Sequence, residues 1–457
     1  MLGKTKHIHF VGIGGIGMSG MAELLFNLGF TISGSDLNNS DRIEKLHSLG
    51  IDVTIGHKSK MVIDCDVVVY SSAVKKDNPE IIIAQKNNIP VIRRAEMLSE
   101  LLKVKSNSIA ISGTHGKTTT SSMLGSILIE AQLNPTLVIG GIVNEFGSNS
   151  MYGDGDIIVV EADEFDRTFL SLKPTFALIN NLDLEHLDCY ENLLDLQNAF
   201  LQFSNSVPFY GKVFINIDHT NTSDLLESIK RPYITYGFSK NSYIRANNPV
   251  YNKLQTTFDL YINNDLITNI KLNVPGKHNV MNALAAISVC KELDIDYNII
   301  KNGLKKFSGV QRRFDIKYKL KNGIKLIDDY AHHPVEVDSV IEALKSGWKN
   351  RIIAIFQPHL FTRTQDFHFE FAKALYKSDI IIITDIFGAR EKPISGISSQ
   401  IIIDDLMKLN HKMTKFIPDK TKIADYIKQI SKENDIIITM GAGDIWREIE
   451  NINKILN

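Results

Sequence analysis

Two glycine-rich stretches, each following a short apolar run, are the residues of this chain best suited to chemistry. The more specific is Gly113-Thr114-His115-Gly116-Lys117-Thr118-Thr119, preceded by the run Ser108 to Ser112. Glycines at such a turn let backbone amides cradle phosphate oxygens, the lysine after them reaches the β- and γ-oxygens, and the next hydroxyl can ligate Mg²⁺. ATP is the natural occupant, although only Thr114 and His115 separate the two glycines, fewer than in the usual Walker A spacing. The other stretch is Gly12-Ile-Gly14-Gly15-Ile-Gly17-Met-Ser-Gly20, after His7 to Ile13 and before an expected helix over Met21 to Leu28. It suits a pyrophosphate facing a helix N-terminus, and Asp36, at the end of a second strand, has the spacing to meet a ribose hydroxyl. The pattern serves NAD and a UDP-sugar equally well. Ser71 and Ser72 follow the run Asp66 to Tyr70, where ligands collect in parallel sheets, a position that ordinary loop serines share.

A magnesium triphosphate needs hard ligands nearby. The run Asp156 to Val160 ends in Glu161-Ala-Asp163-Glu164, and the run Phe176 to Asn180 is followed by Asn181-Leu-Asp183-Leu-Glu185-His186-Leu-Asp188. Glu161 and His186 are therefore candidates to hold divalent ions that bridge phosphate oxygens. Helix-capping acids and a solvated loop around His186 are the alternative reading.

The elements that must position these groups are short β-branched runs alternating with amphipathic segments, including Arg351 to Phe356, Asp379 to Thr384 and Asp435 to Met440. Runs this short and this uniform read as strands buried on both faces of parallel sheets, so the class is α/β. At 457 residues the chain has the length of about three domains. Polar segments near 104 and 310 place them at 1–104, 105–310 and 311–457. Between Asn216 and Pro275, alternating strands and Asn-rich turns (Asn247-Asn248, Asn263-Asn264) suggest an antiparallel addition to the central domain.

Composition narrows the function classes. Lys plus Arg total 51 against 52 for Asp plus Glu, leaving no basic surplus for nucleic acid or anionic membrane. Hydrophobic residues make up 44%, ample for a packed core. Three cysteines without a CxxC pair argue against disulfides and thiolate zinc and fit a reducing cytoplasm. No apolar stretch approaches the roughly 18 residues of a membrane helix, and no export signal is expected.

Taken together, the first glycine loop, the Gly-Thr-His-Gly-Lys-Thr-Thr loop, Glu161 and His186 make the chain resemble the Mur ligases of peptidoglycan synthesis. Matching segments continue to the C-terminus: Pro275-Gly-Lys-His278-Asn279-Val-Met-Asn282, Arg312-Arg313-Phe-Asp315, Asp328-Asp329-Tyr330-Ala-His332-His333-Pro334, Gln357-Pro358-His359, Thr362-Arg363-Thr364 and Gly441-Ala-Gly443-Asp444. The resemblance implies a Rossmann-like N-terminal domain for the UDP-sugar, a P-loop ATPase-like central domain, and a Rossmann-like C-terminal domain that brings the amino acid. It implies an ATP- and Mg²⁺-dependent amide ligase joining L-alanine to the carboxylate of UDP-N-acetylmuramate through an acyl phosphate.

By the same resemblance, Thr118, Glu161 and His186 are the metal ligands, Lys117 the γ-phosphate lysine, His278 and Asn279 adenine-side contacts, Arg313 an arginine on the phosphates and Asp329 a ribose contact. Gly12, Gly14, Gly15, Gly17, Asp36, Ser71 and Ser72 serve the UDP-sugar; Tyr330, His332, His359 and Arg363 form the alanine pocket. The residue after His359, often Arg in the alanine-adding ligases, is Leu360 here, so Arg363 must carry more of the carboxylate binding. An NAD-dependent dehydrogenase leaves Gly113 to Thr120 unexplained. A P-loop switch or motor leaves the first glycine loop and the C-terminal segment without a ligand. A sister ligase for a preformed peptide, or a folate-type glutamate ligase, shares the chemistry but matches Gly12 to Gly20 and Ala162 to Asp166 less well.

Overall fold

A computed structural model describes the chain apart from residues 1, 72, 76, 184–188 and 390, and apart from the side chains of residues 16, 59 and 166. Two of the expected site residues, Ser72 and His186, thus lie outside the described residues. The chain divides into two compact units: residues 1–247, 259–270 and 281–307, and residues 248–258, 271–280 and 308–457.

Three sheets carry the α/β architecture. The first has five parallel strands in the order Asp52–Ile55, Thr31–Asp36, His7–Val11, Val67–Tyr70, Val91–Arg93. Strand order reverses between His7–Val11 and Val67–Tyr70, and ligands of such sheets bind in the crevice at that reversal. Gly12 and Ser71 stand there, directly after the two strands. The helix that follows spans Ile16–Asn27, five residues earlier than expected, so Gly17 and Gly20 are helical and the loop proper is Gly12 to Gly15.

The second sheet has ten strands. Around the phosphate loop the order is Lys212–Asn216, Phe176–Ile179, Asn107–Ser112, Ile157–Glu161, Thr136–Val143, all parallel. Ile109, Ala110 and Ile111 are fully buried, which explains why their run reads apolar on both faces. Beyond Lys212–Asn216 the expected antiparallel addition begins differently: Tyr233–Gly237 and then Ile244–Asn252 still pair parallel. Asn247-Asn248, expected to turn, lies inside that last strand, Asn248 taking φ +48°. Asn263-Asn264 does turn, with φ +48° and +70°, the paired positive values of a tight type I′ hairpin.

The third sheet orders Asp315–Lys319, Lys325–Asp329, Ile436–Met440, Ile352–Phe356, Ile380–Ile383, Thr414–Phe416; only its first pair is antiparallel. Every residue of Ile352–Phe356 is fully buried. Among the described residues no helix is long and apolar enough to cross a membrane.

Candidate active site

The phosphate loop joins the strand Asn107–Ser112 to the helix Lys117–Glu130. Gly113 has φ +128° and Gly116 φ +80°, conformations that side chains rarely adopt. A Cβ on Gly113 would stand 3.0 Å from the Asn181 nitrogen, and one on Gly116 2.5 Å from Asn282 Oδ1. Both positions favour glycine by conformation, and a Cβ at either would press on its neighbours. The loop is held from behind. Asn181 Oδ1 accepts from the His115 amide at 2.7 Å, and Thr114 Oγ1 accepts from the Asp183 amide at 2.9 Å. The Asp183 carboxylate lies between His115 Nε2 at 3.4 Å and His219 Nε2 at 3.1 Å.

Lys117 donates to the Gly113 carbonyl and to Glu164 Oε2, each at 2.7 Å. Burial opposes its charge, but Glu164, Asp163 and Glu161 outweigh burial and raise its pKa. Burial raises Glu164 to about 7 against the pull of Lys117, and raises Glu161 as well. Two carboxylates, buried Glu164 and partly buried Glu161, beside one lysine favour the arrival of further positive charge. Glu161 sits at the end of its strand with Oε1 accepting from the Gly140 amide at 2.6 Å and Oε2 accepting from Thr118 Oγ1 at 3.2 Å. A hydroxyl and a carboxylate this close fit Mg²⁺, which keeps several waters and takes its remaining oxygens from phosphates. Among the described residues no group of three His, Cys, Asp or Glu is placed to hold a metal alone. Thr119 is half-buried on the first helical turn.

At the first glycine loop, Gly12 has φ +80°. Asp36, expected at a ribose, accepts from the Gly14 amide at 2.9 Å and from the Asn38 amide at 3.2 Å, so in this structure it shapes the loop. Gly15 caps the helix. Gly17 leaves room for the Arg94 guanidinium, which stands where its Cβ would be. Ser71 Oγ accepts from the Ala73 amide at 3.3 Å.

The other unit assembles a second group. His278 is buried, and burial followed by the Arg313 charge lowers its pKa to about 4, so it is a neutral ring near pH 7. Asn279 Nδ2 donates to the Pro275 carbonyl at 2.7 Å. Arg313 donates to Glu336 Oε1 at 3.3 Å and lies over the Tyr330 ring at 5.2 Å. Asp329 accepts from the Phe314 and Ala331 amides, both at 2.7 Å, and burial raises it to about 6. Its carboxylate thus holds the turn that presents Tyr330. Rings of Tyr330 and His332 are 5.2 Å apart, and those of His332 and His359 5.9 Å. Glu336 Oε2 is 3.1 Å from His332 Nδ1. Arg363 occupies the first turn of the helix Phe361–Leu375, its Nη1 buried without a hydrogen-bond partner among the described residues.

Three family models match nearly the whole chain: the Mur ligase catalytic domain over 7–106, the Mur ligase middle domain over 111–290 and the Mur ligase glutamate ligase domain over 312–443. The chain belongs to the Mur ligase family. Among Mur ligases it is similar to the UDP-N-acetylmuramate–L-alanine ligase of Syntrophus aciditrophicus, 47% identical and covering 97% of this chain and 92% of that one. It is 45% identical to the same-named ligase of Geotalea daltonii, covering 99% and 98%. The crystal structure of a UDP-N-acetylmuramate–alanine ligase from Thermotoga maritima superposes with a TM-score of 0.83 at 31% identity, covering 98% of each chain.

Several residues of these Mur ligase sites escape a reading from sequence. Glu164 was visible only as one acid in a cluster, with no sign that it pairs with Lys117. Asn282 belongs to the matching segment that begins at Pro275, but nothing in that segment shows that it crowds the phosphate loop from 166 positions beyond Gly116. Glu336 serves both Arg313 and His332; its one signal is its place one turn beyond His332.

Proposed function

We propose that the chain is an ATP-dependent ligase that joins L-alanine to the carboxylate of UDP-N-acetylmuramate, releasing ADP and phosphate, in the cytoplasm during peptidoglycan precursor synthesis. A carboxylate resists attack because oxide is a poor leaving group. Transfer of the γ-phosphoryl group to the muramate carboxylate creates an acyl phosphate. The alanine amine adds to its carbonyl, and phosphate leaves from the tetrahedral adduct. Negative charge gathers on oxygen in both steps, so fixed positive charge and aimed amides are the catalytic devices.

Lys117 supplies that charge at the γ-phosphate once it leaves Glu164, and the loop Gly113 to Gly116, with Thr119, orients the phosphates. Thr118 and Glu161, together with His186, would hold Mg²⁺, whose charge would offset that of the phosphate oxygens. Arg313 reaches the phosphates, with His278 and Asn279 on the adenine side and Asp329 at the ribose. Gly12, Gly14, Gly15, Gly17, Asp36, Ser71 and Ser72 bind the UDP-sugar. Tyr330, His332, His359 and Arg363 bind alanine, the guanidinium taking its carboxylate. The observation that carries this reading is Lys117 on a glycine-enforced loop, with Thr118 and Glu161 3.2 Å apart beside it.

The test is ADP release across a panel of amino acids with UDP-N-acetylmuramate and Mg²⁺ present. Release that requires both the sugar nucleotide and L-alanine supports the assignment; release that needs neither refutes it.

A further inference from the structure

The helix Phe361–Leu375 starts with an unusual handicap. Its N-cap is Leu360, which offers no side-chain acceptor, so the first amides need a partner from elsewhere. Leu360 also takes φ +71° and ψ 137°, a region sparsely populated by residues with a Cβ and maintained only where the surroundings impose it. The surroundings here are Phe387, Gly388 and Glu391. Phe387 donates its amide to the Pro358 carbonyl at 2.8 Å, and its carbonyl accepts from the Leu360 amide at 3.0 Å. The Phe387 ring stacks on His359, centroids 5.9 Å apart with planes 14° off parallel.

Past Leu360 the same group supplies the missing cap. Glu391 Oε2 accepts from the Phe361 amide at 2.6 Å and from the Thr362 amide at 3.1 Å, while Oε1 accepts from Thr362 Oγ1 at 2.6 Å. Glu391 is itself drawn back by its amide donating to the Gly388 carbonyl at 2.8 Å. His359 and Arg363 therefore flank a backbone that is gripped from both sides, and Arg363 directly follows the last residue that Glu391 holds.

We propose that Glu391 is a positioning residue for amino-acid binding: its carboxylate caps the helix Phe361–Leu375 across the chain and so fixes the direction in which His359 and Arg363 are presented. The inference rests on the reading of those two residues as part of the alanine pocket. Glu391 touches no substrate in this role; it acts through the first helical turn. A negative charge at that turn also suits the helix dipole, so a neutral side chain is a poorer substitute even where it keeps an oxygen.

The experiment measures KM for L-alanine, ATP and UDP-N-acetylmuramate, together with kcat and thermal midpoint, in Glu391→Ala, Glu391→Gln and Arg363→Ala. For Glu391→Ala the expected result is an alanine KM raised about five- to tenfold, the size of a lost cap, with the other two constants within about twofold. Glu391→Gln keeps one acceptor oxygen and falls between Ala and the parent, and it carries the test if the alanine variant does not fold. An equal rise in all three constants, or a lower thermal midpoint with an unchanged alanine KM, overturns the proposal. If Arg363→Ala raises the alanine KM while neither Glu391 variant does, the inference about Glu391 fails and the pocket stands. If none of the three raises it, the pocket reading fails as well.

Discussion

Replacing Arg363 with alanine removes a guanidinium whose buried Nη1 has no hydrogen-bond partner among the described residues. Ordinarily, truncating a buried cation strands its counter-charge and destabilises the fold. Here no carboxylate among the described residues is left stranded, so the thermal midpoint should hold or rise slightly. The loss should fall on the amino acid. A hydrogen bond to a charged group contributes about 1.5 to 3 kcal/mol, and at 1.4 kcal/mol per tenfold that corresponds to an alanine KM raised roughly 10- to 150-fold. The upper part of that range is favoured because Leu360 stands where a second guanidinium would otherwise share the work. Initial rates of ADP release at varied L-alanine, with ATP and UDP-N-acetylmuramate saturating, measure it. An unchanged alanine KM, or an equal rise in the KM for ATP, refutes the reasoning and removes Arg363 from the pocket.

Other consequences follow from the phosphate loop. Gly116→Ala adds a Cβ at φ +80° against Asn282 Oδ1, so ATP-dependent turnover should fall at least about 100-fold, the scale at which misplaced catalytic groups fail; near-parental turnover would contradict the steric account. Asp183 is partly opposed by burial, but the imidazoles of His115 and His219 prevail and hold its pKa well below the usual carboxylate range. A depressed carboxylate contributes stability above its unfolded pKa of about 3.9 and loses it as pH falls further. The thermal midpoint of Asp183→Asn should therefore lie below the parent's near pH 5, with the gap closing in stronger acid; a gap independent of pH would exclude the charge as its cause.

Much of the fold was legible because parallel strands buried on both faces are written as uninterrupted β-branched runs. Ile352–Phe356 and Asn107–Ser112 could be placed within a residue or two. The phosphate loop was equally plain, since its glycines answer a local demand for positive φ. The start of the first helix was not, because glycines inside a helix resemble glycines in a loop; helical Gly17 lacks the side chain that would collide with Arg94, a residue 77 positions away. Asn247-Asn248 misled for a related reason, as a strand can absorb one residue at positive φ without ending. Contacts set by tertiary packing left no periodic trace. Glu164 against Lys117, Asn282 against Gly116 and Glu391 on the turn before Arg363 each join segments that no spacing rule connects.

The most direct measurement of the central claim is steady-state formation of UDP-N-acetylmuramoyl-L-alanine by a Lys117→Ala protein whose thermal midpoint confirms that it is folded. The expected kcat is at least about 100-fold lower, as when a fixed charge at the transferring phosphoryl group is lost. Product formed at the parent's rate would contradict it.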